Sequence, residues 1–137
     1  MLFKGLEISV SGMDAQRIRF DIISSNLANV NSIDEETGQP YRRKVPIFKA
    51  ILEDEENGIN LYRVKVEKID EDKSPFKKKF DPDNPLADKD GYVKLPNVDP
   101  LKEVVDMMSA IRTYEANLTA FNTHKNMLLK SIEIIKV

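Results

Sequence analysis

The sequence has no cysteine and no tryptophan, and its only histidine is His124. Missing thiols exclude disulfides, thiolate nucleophiles and every cysteine-containing zinc site, so the chain is held by packing alone. One histidine cannot build a histidine-based catalytic triad or a multi-histidine metal site within one chain. No apolar run approaches the roughly 20 residues of a membrane span, so direct membrane insertion is not expected. The first residues, Met1 to Glu7, carry charge and lack the apolar stretch of a secretory leader. A formal charge of -2, from 21 basic and 23 acidic residues, gives no overall field that favours nucleic acid or an anionic membrane.

What is present is distributed unevenly over the 137 residues, a length that suits about one domain. Of 44 charged residues, 28 fall between Asp34 and Lys94, and Ile22 to Ile33 hold none. All seven prolines lie between Pro40 and Pro100, so both ends are free of helix breakers. The pattern predicts an N-terminal segment, 1–31, an inserted module, 32–98, and a C-terminal segment, 99–137.

The C-terminal segment reads as one long helix, with Asp99 as N-cap and Pro100 at the first helical position. A seven-residue repeat runs along it. Val104, Ile111, Leu118, Lys125 and Ile132 form one line, and Met107, Tyr114, Phe121, Leu128 and Ile135 form a second three residues on. Such a repeat marks a seam kept against a partner helix, as in a coiled coil. Lys125 either sets register or packs its stem while its charge reaches outward. The N-terminal segment carries a matching series, Leu6, Met13, Phe20 and Leu27, supported by Ile23 and Val30. It predicts a helix over about 6–30, weakened in its first turns by Gly5 and Gly12, whose natural partner is the C-terminal helix.

Between the helices, Val45–Leu52 and Leu61–Ile69 read as strands, with the acidic run Glu53 to Gly58 as their turn. Phe76–Phe80 and Gly91–Leu95 add two short strands. The fold class is therefore α+β: long terminal helices paired as a coiled-coil-like hairpin, with a small β-rich module inserted between them.

The outer faces of the ends are short of charge. Met107 to Thr123 hold only Arg112 and Glu115 as ionised side chains, whereas a helix with a single partner normally turns a charged back to water. Met108, Val105, Ala110, Ala116 and Ala120 lie off the seam, a composition suited to further helix contacts. Two readings fit: the core of an ordinary helical monomer, or an interface with other chains.

Asp88 to Asp99 resembles a calcium loop in its acidic spacing, but Val93 stands where glycine is needed and Asp99 where a bidentate glutamate is needed. Phe76-Lys77-Lys78-Lys79-Phe80 has the residues of a nucleic-acid contact and equally those of a protected strand edge. Asn117-Leu118-Thr119 matches a glycosylation acceptor by chance, on a predicted helix. No catalytic residue, cofactor, metal, nucleic-acid or small-molecule partner is expected.

Ser25-Asn26-Leu27-Ala28-Asn29-Val30-Asn31 resembles the N-terminal signature of the flagellar rod and hook axial proteins. Gly38-Gln39-Pro40-Tyr41-Arg42, Asp88 to Val93 with Gly91 and Tyr92, Leu95-Pro96-Asn97-Val98, and Ser109 to Asn117 extend the likeness over both ends. Within that family the short insert resembles the proximal-rod members. The resemblance marks Asn26, Leu27, Ala28, Asn29, Tyr41, Gly91, Tyr92, Pro96 and Asn97 as signature residues. It implies a structural subunit of a hollow, torque-transmitting rod in the flagellar basal body, crossing the periplasm or cell wall. It also implies export by the flagellar type III apparatus without a cleaved signal peptide, and copies of itself and other rod proteins as partners. The terminal helices would form the inner tube, with Leu6, Met13, Phe20, Ile23, Leu27, Val30, Val104, Met107, Met108, Ile111, Tyr114, Leu118, Phe121, Leu128, Ile132 and Ile135 packing within and between subunits. A soluble coiled-coil adaptor or secretion chaperone is the alternative.

Overall fold

The computed structural model describes residues 2–136; Met1 and Val137, the outer limits expected for the terminal segments, lie outside them. The element order is α1 (Leu2–Ala28), β1 (Lys44–Glu56), β2 (Ile59–Glu71), β3 (Lys77–Phe80), β4 (Tyr92–Leu95) and α2 (Pro100–Ile135). Two long helices thus flank two small antiparallel sheets, β1–β2 and β3–β4, the α+β arrangement expected.

Local chemistry sets the helix ends. Asp99 is extended, and its carboxylate accepts from the backbone N–H of Leu101 at 3.1 Å, with Pro100 opening the helix. After α1, the Asn29 side-chain amide donates to the carbonyl of Ser25 at 2.8 Å, beside the backbone N–H of Asn29 that reaches the same oxygen at 3.1 Å, and its oxygen accepts from the Ser32 hydroxyl at 3.0 Å.

The β1–β2 hairpin is longer than its sequence pattern. Glu53 to Glu56 continue β1 instead of turning, and the chain reverses at Asn57-Gly58, with φ of 53° and 77°. Two left-handed residues make the tight turn whose twist matches the flanking strands. The strand carries its acidic run because Glu53 is paired, with Arg63 at 2.9 Å and with Lys4 of α1 at 3.7 Å. The hairpin lies along α1, where the Ser11 hydroxyl accepts from the N–H of Val64 at 3.2 Å and Ala15 and Ile22 are buried.

The helices run antiparallel and meet on an unexpected line. Gly5 lies against His124, Gly12 against Asn117, Arg19 pairs with Asp106, and Asn26 bonds Glu103. Ala110 is buried in the same seam. Gly5, Gly12, Arg19 and Asn26 each stand one residue before Leu6, Met13, Phe20 and Leu27. Glu103, Ala110, Asn117 and His124 likewise stand one residue before Val104, Ile111, Leu118 and Lys125. One residue is about 100° of helix rotation, so each apolar line is turned to the side of the contact. The glycines are the cause: a Cβ at Gly12 would come within 2.5 Å of the Asn117 amide oxygen, and one at Gly5 within 2.7 Å of the His124 ring.

A buried polar knot joins the helix pair to the strands. The Glu103 carboxylate, 1 % exposed, accepts from the Arg43 guanidinium and, at 3.2 Å, from the Asn26 amide. Asn26 is fully buried and acts as a surrogate strand residue. Its amide donates to the carbonyl of Lys44 and its oxygen accepts from the N–H of Lys44, both at 2.9 Å, while Tyr41 donates to the same oxygen. Arg43 also reaches Asp72 at 3.3 Å, and its N–H donates to Asn97 at 2.8 Å. Asn97 in turn donates to the carbonyls of Asp72 and Ser74. The Asp72 carboxyl is held below its ordinary value by the N–H and then the hydroxyl of Ser74, against some desolvation, with Arg43 adding to the effect.

Three outcomes follow for unfolding midpoints in urea. Asn26→Ala leaves several buried partners unsatisfied, at about 1–3 kcal/mol for each such group, and lowers stability by roughly 3 kcal/mol; Asn26→Asp loses a comparable amount despite its shape, because it sets a carboxylate against Glu103. Gly12→Leu costs about 1–3 kcal/mol by overpacking the helix seam, whereas Gly12→Ala combined with Asn117→Ala is tolerated. Because Asp72 is depressed in the fold, its contribution is present above an unfolded value of about 4 and is lost as pH falls through its folded value. Asp72→Asn therefore flattens the acid limb of the stability profile while lowering stability at neutral pH.

Candidate assembly interface

The faces available to other molecules follow from what each helix already touches. α1 is covered on one side by α2 and on another by the hairpin, whereas α2 meets no other helix or strand among the described residues than α1. The start of α1 at Leu2 is level with Met127, because Gly5 faces His124. The last two turns of α2 therefore project past the helix pair, and Ile134 and Ile135 are 76 % and 81 % exposed.

The structure separates the packing residues read from the sequence into two sets. Ile23 is buried, and Leu6, Met13, Leu27, Val30, Met107, Phe121 and Leu128 are half-buried within the chain. Val104, Ile111, Tyr114, Leu118 and Ile132 keep between 39 % and 44 % of their surface, Met108 keeps 50 %, and Phe20 keeps 37 %. Phe20, Ile111, Tyr114 and Leu118 line an open groove of about 450 Å³ between the helices, rimmed by Arg17 and Glu115. Covering a Val, Leu or Ile side chain completely is worth about 1.5–3 kcal/mol, so finishing the burial of each residue in this set would contribute about 1 kcal/mol. An apolar stripe of this length on a helix with one neighbour has the character of an interface.

The signature residues are brought together in part. Asn26, Tyr41 and Asn97 meet in the polar knot, and Pro96 is buried beside them. Asn29 closes α1, Leu27 is half-buried and Ala28 exposed. Gly91 and Tyr92 stand apart, at the turn into β4, where Gly91 has φ 85° and a Cβ would lie 2.9 Å from the Phe80 ring. The sequence reading missed Arg43, Asp72 and Glu103. The available signal was position: Arg43 follows the Tyr41 signature, and Glu103 sits on the seven-residue line with Ala110, Asn117 and His124.

Other chemistry is spent locally. Asp88 accepts from the N–H groups of Asp90 and Tyr92, each at 2.9 Å, and no group of three His, Asp or Glu side chains among the described residues is placed to hold a metal ion. The His124 Nδ1 atom is buried without a hydrogen-bond partner in the helix seam. No described helix is long and apolar enough to cross a membrane.

Comparison with known proteins bears on both ends and then on the whole chain. Residues 6–32 match a family described as flagella basal body rod protein, and residues 89–134 match the C-terminal family of the flagellar basal body rod FlgEFG proteins. The chain is 47 % identical over 135 residues to the flagellar basal-body rod protein FlgC of Aquifex aeolicus, with 98 % of each chain covered. It is 46 % identical over 147 residues to FlgC of Bacillus subtilis, again with 98 % of each covered. Identity to FlgC of Salmonella typhimurium is 43 % over 128 residues, 93 % of each chain. With identity of this degree spread along nearly its full length, the chain belongs to the FlgC family of flagellar basal-body rod proteins.

Proposed function

We propose that this structural rod subunit assembles with copies of itself and with other rod components through the outer faces of its terminal helices, forming a hollow helical tube that transmits torque. The observation that carries the reading is the half-exposed line Val104, Ile111, Leu118 and Ile132 on a helix with one intramolecular neighbour. Identical subunits joined through two different patches make an open helical array, whereas a self-complementary patch closes a dimer. In this reading 1–31 and 99–137 form the tube wall, 32–98 decorates it, and the packing residues of both helices supply the contacts. The sparse charge of the stripe suits it to partners of the same kind, since burying a charge would cost more than burying alanine, asparagine or threonine.

The location proposed is the basal-body rod where it crosses the periplasm or cell wall, reached by export through the flagellar type III apparatus without a cleaved signal peptide. The family is structural, and no enzymatic step is assigned. Ile111→Asp and Leu118→Asp place a charge on the stripe without touching the polar knot. Both variants should stay folded with the helix content of the parent while losing about 1–2 kcal/mol, the share of each side chain's burial already made within the chain, and both should lose sedimentable assemblies and cell motility. Full assembly by both variants would remove the helix faces from the account, and a single compact oligomer of the parent chain would favour the adaptor or chaperone reading.

A further inference from the structure

We propose that the exposed face of the β3–β4 ribbon docks the acidic tip of the β1–β2 hairpin of a second copy of this chain, head to tail. The inference rests on the self-assembly reading and adds to it a contact outside the helices. In the ribbon, Lys78 stands directly opposite Lys94, and Phe80 opposite Tyr92. Alternate strand residues share a face, so two lysines and two aromatic rings form one surface. Phe80 and Tyr92 meet edge to face at 5.3 Å between centroids, and Phe80 is 62 % exposed.

Nothing among the described residues covers that face. Directly opposed like charges destabilise a strand pair, and neither lysine is in a salt bridge among the described residues. The Asp88 carboxyl is held low first by the N–H of Tyr92, against some desolvation, and then by the N–H of Asp90 and the charge of Lys78. Its oxygen is thus already committed to backbone donors. The ribbon packs against no other helix or strand among the described residues; it is tethered through Lys77, which donates to the carbonyl of Val98 at 2.6 Å.

The hairpin tip has the complementary composition. Asp54 and Glu55 are exposed there, flanked by Leu52, Ile59 and Tyr62, each at least half exposed. Acidic groups beside apolar ones on the tip match basic groups beside aromatic ones on the ribbon. The two patches cannot meet within one molecule. The tip is fixed at the start of α1 by the Lys4–Glu53 pair, whereas the hairpin base is bound to Asn26 at the end of α1, where the knot also holds Asn97 beside β4. Lys4 and Asn26 stand 22 residues apart on α1, about 33 Å at 1.5 Å per residue. Tip-to-ribbon contact is therefore between different surfaces of successive copies, a geometry that propagates and does not close.

The absence of native cysteine makes the contact testable by disulfide trapping. A chain carrying both Asp54→Cys and Lys94→Cys, purified and oxidised at assembling concentration, should give a non-reducing ladder of trimers and longer species, while each single-cysteine variant gives dimers at most. The ladder should fade in high salt, disappear with Lys78→Glu, and return when Glu55→Lys is added to Lys78→Glu. Sedimentation of the same samples reads helix-mediated assembly independently. Material that sediments without a ladder overturns the ribbon contact and leaves the helix reading intact; a ladder that survives Lys78→Glu undiminished overturns the charge complementarity. A mixed disulfide with a different rod protein in isolated basal bodies, with no ladder in the purified chain, overturns the choice of a second copy as the occupant.

Discussion

The arrangement of the helices and strands depends on one buried carboxylate, that of Glu103. It sits in the first turn of α2, faces the last turn of α1, and is neutralised by Arg43 from the segment that leads into β1. A charge in this position is costly unless its partners are fixed, and the surrounding groups are fixed: Arg43 by Asn97 and Asp72, Asn26 by both backbone groups of Lys44. The energetic gain over an apolar core is small, because the cost of taking the two charges out of water offsets most of their attraction. What the knot supplies is geometry. It sets where the two helices cross into the strands, and so fixes which faces of the helices remain outside.

That constraint explains a division of labour along the two seven-residue lines of each helix. The lines that meet at the centre of the helix contact are small or polar, with Ile23, Met107, Phe121 and Leu128 packed beside them, and glycine lets the backbones approach. The lines beside them are apolar and remain half open to water. A monomer optimised alone would reverse the assignment, since apolar burial is the main source of stability. The intramolecular seam is the lesser one by composition, and in the proposed reading the larger gain is left for contact with other chains. The overhanging end of α2, with Ile134 and Ile135 bare, continues the same pattern.

The element order was legible from the residues because the signals were local. Asp99-Pro100 announces α2, and alternation in Tyr62 to Glu67 announces β2. The acidic run misread as a turn shows the limit of local reasoning: Glu53 joins a strand because Arg63 and Lys4 lie beside it, and only the folded chain brings Lys4 there. The helix seam was misplaced by one residue for a related reason. Periodicity identifies an apolar line but not what faces it, and the close approach at Gly5 and Gly12 sets the contact one residue away from that line. Gly5 and Gly12, read as weaknesses of α1, are the residues that permit the close approach. The polar knot was half visible, through Asn26, Tyr41 and Asn97, while Glu103 and Asp72 were hidden among 44 charged residues.

The central claim is that the open apolar line of α2 is covered by neighbouring subunits. Thiol accessibility tests it most directly: cysteine introduced singly at 104, 118 or 132 is labelled by a maleimide in the free chain and in the assembled rod, with a cysteine at the exposed Lys68 of the hairpin as reference. The account predicts that labelling at the three α2 positions falls on assembly relative to that at 68. Equal labelling of all four positions in both states would contradict it.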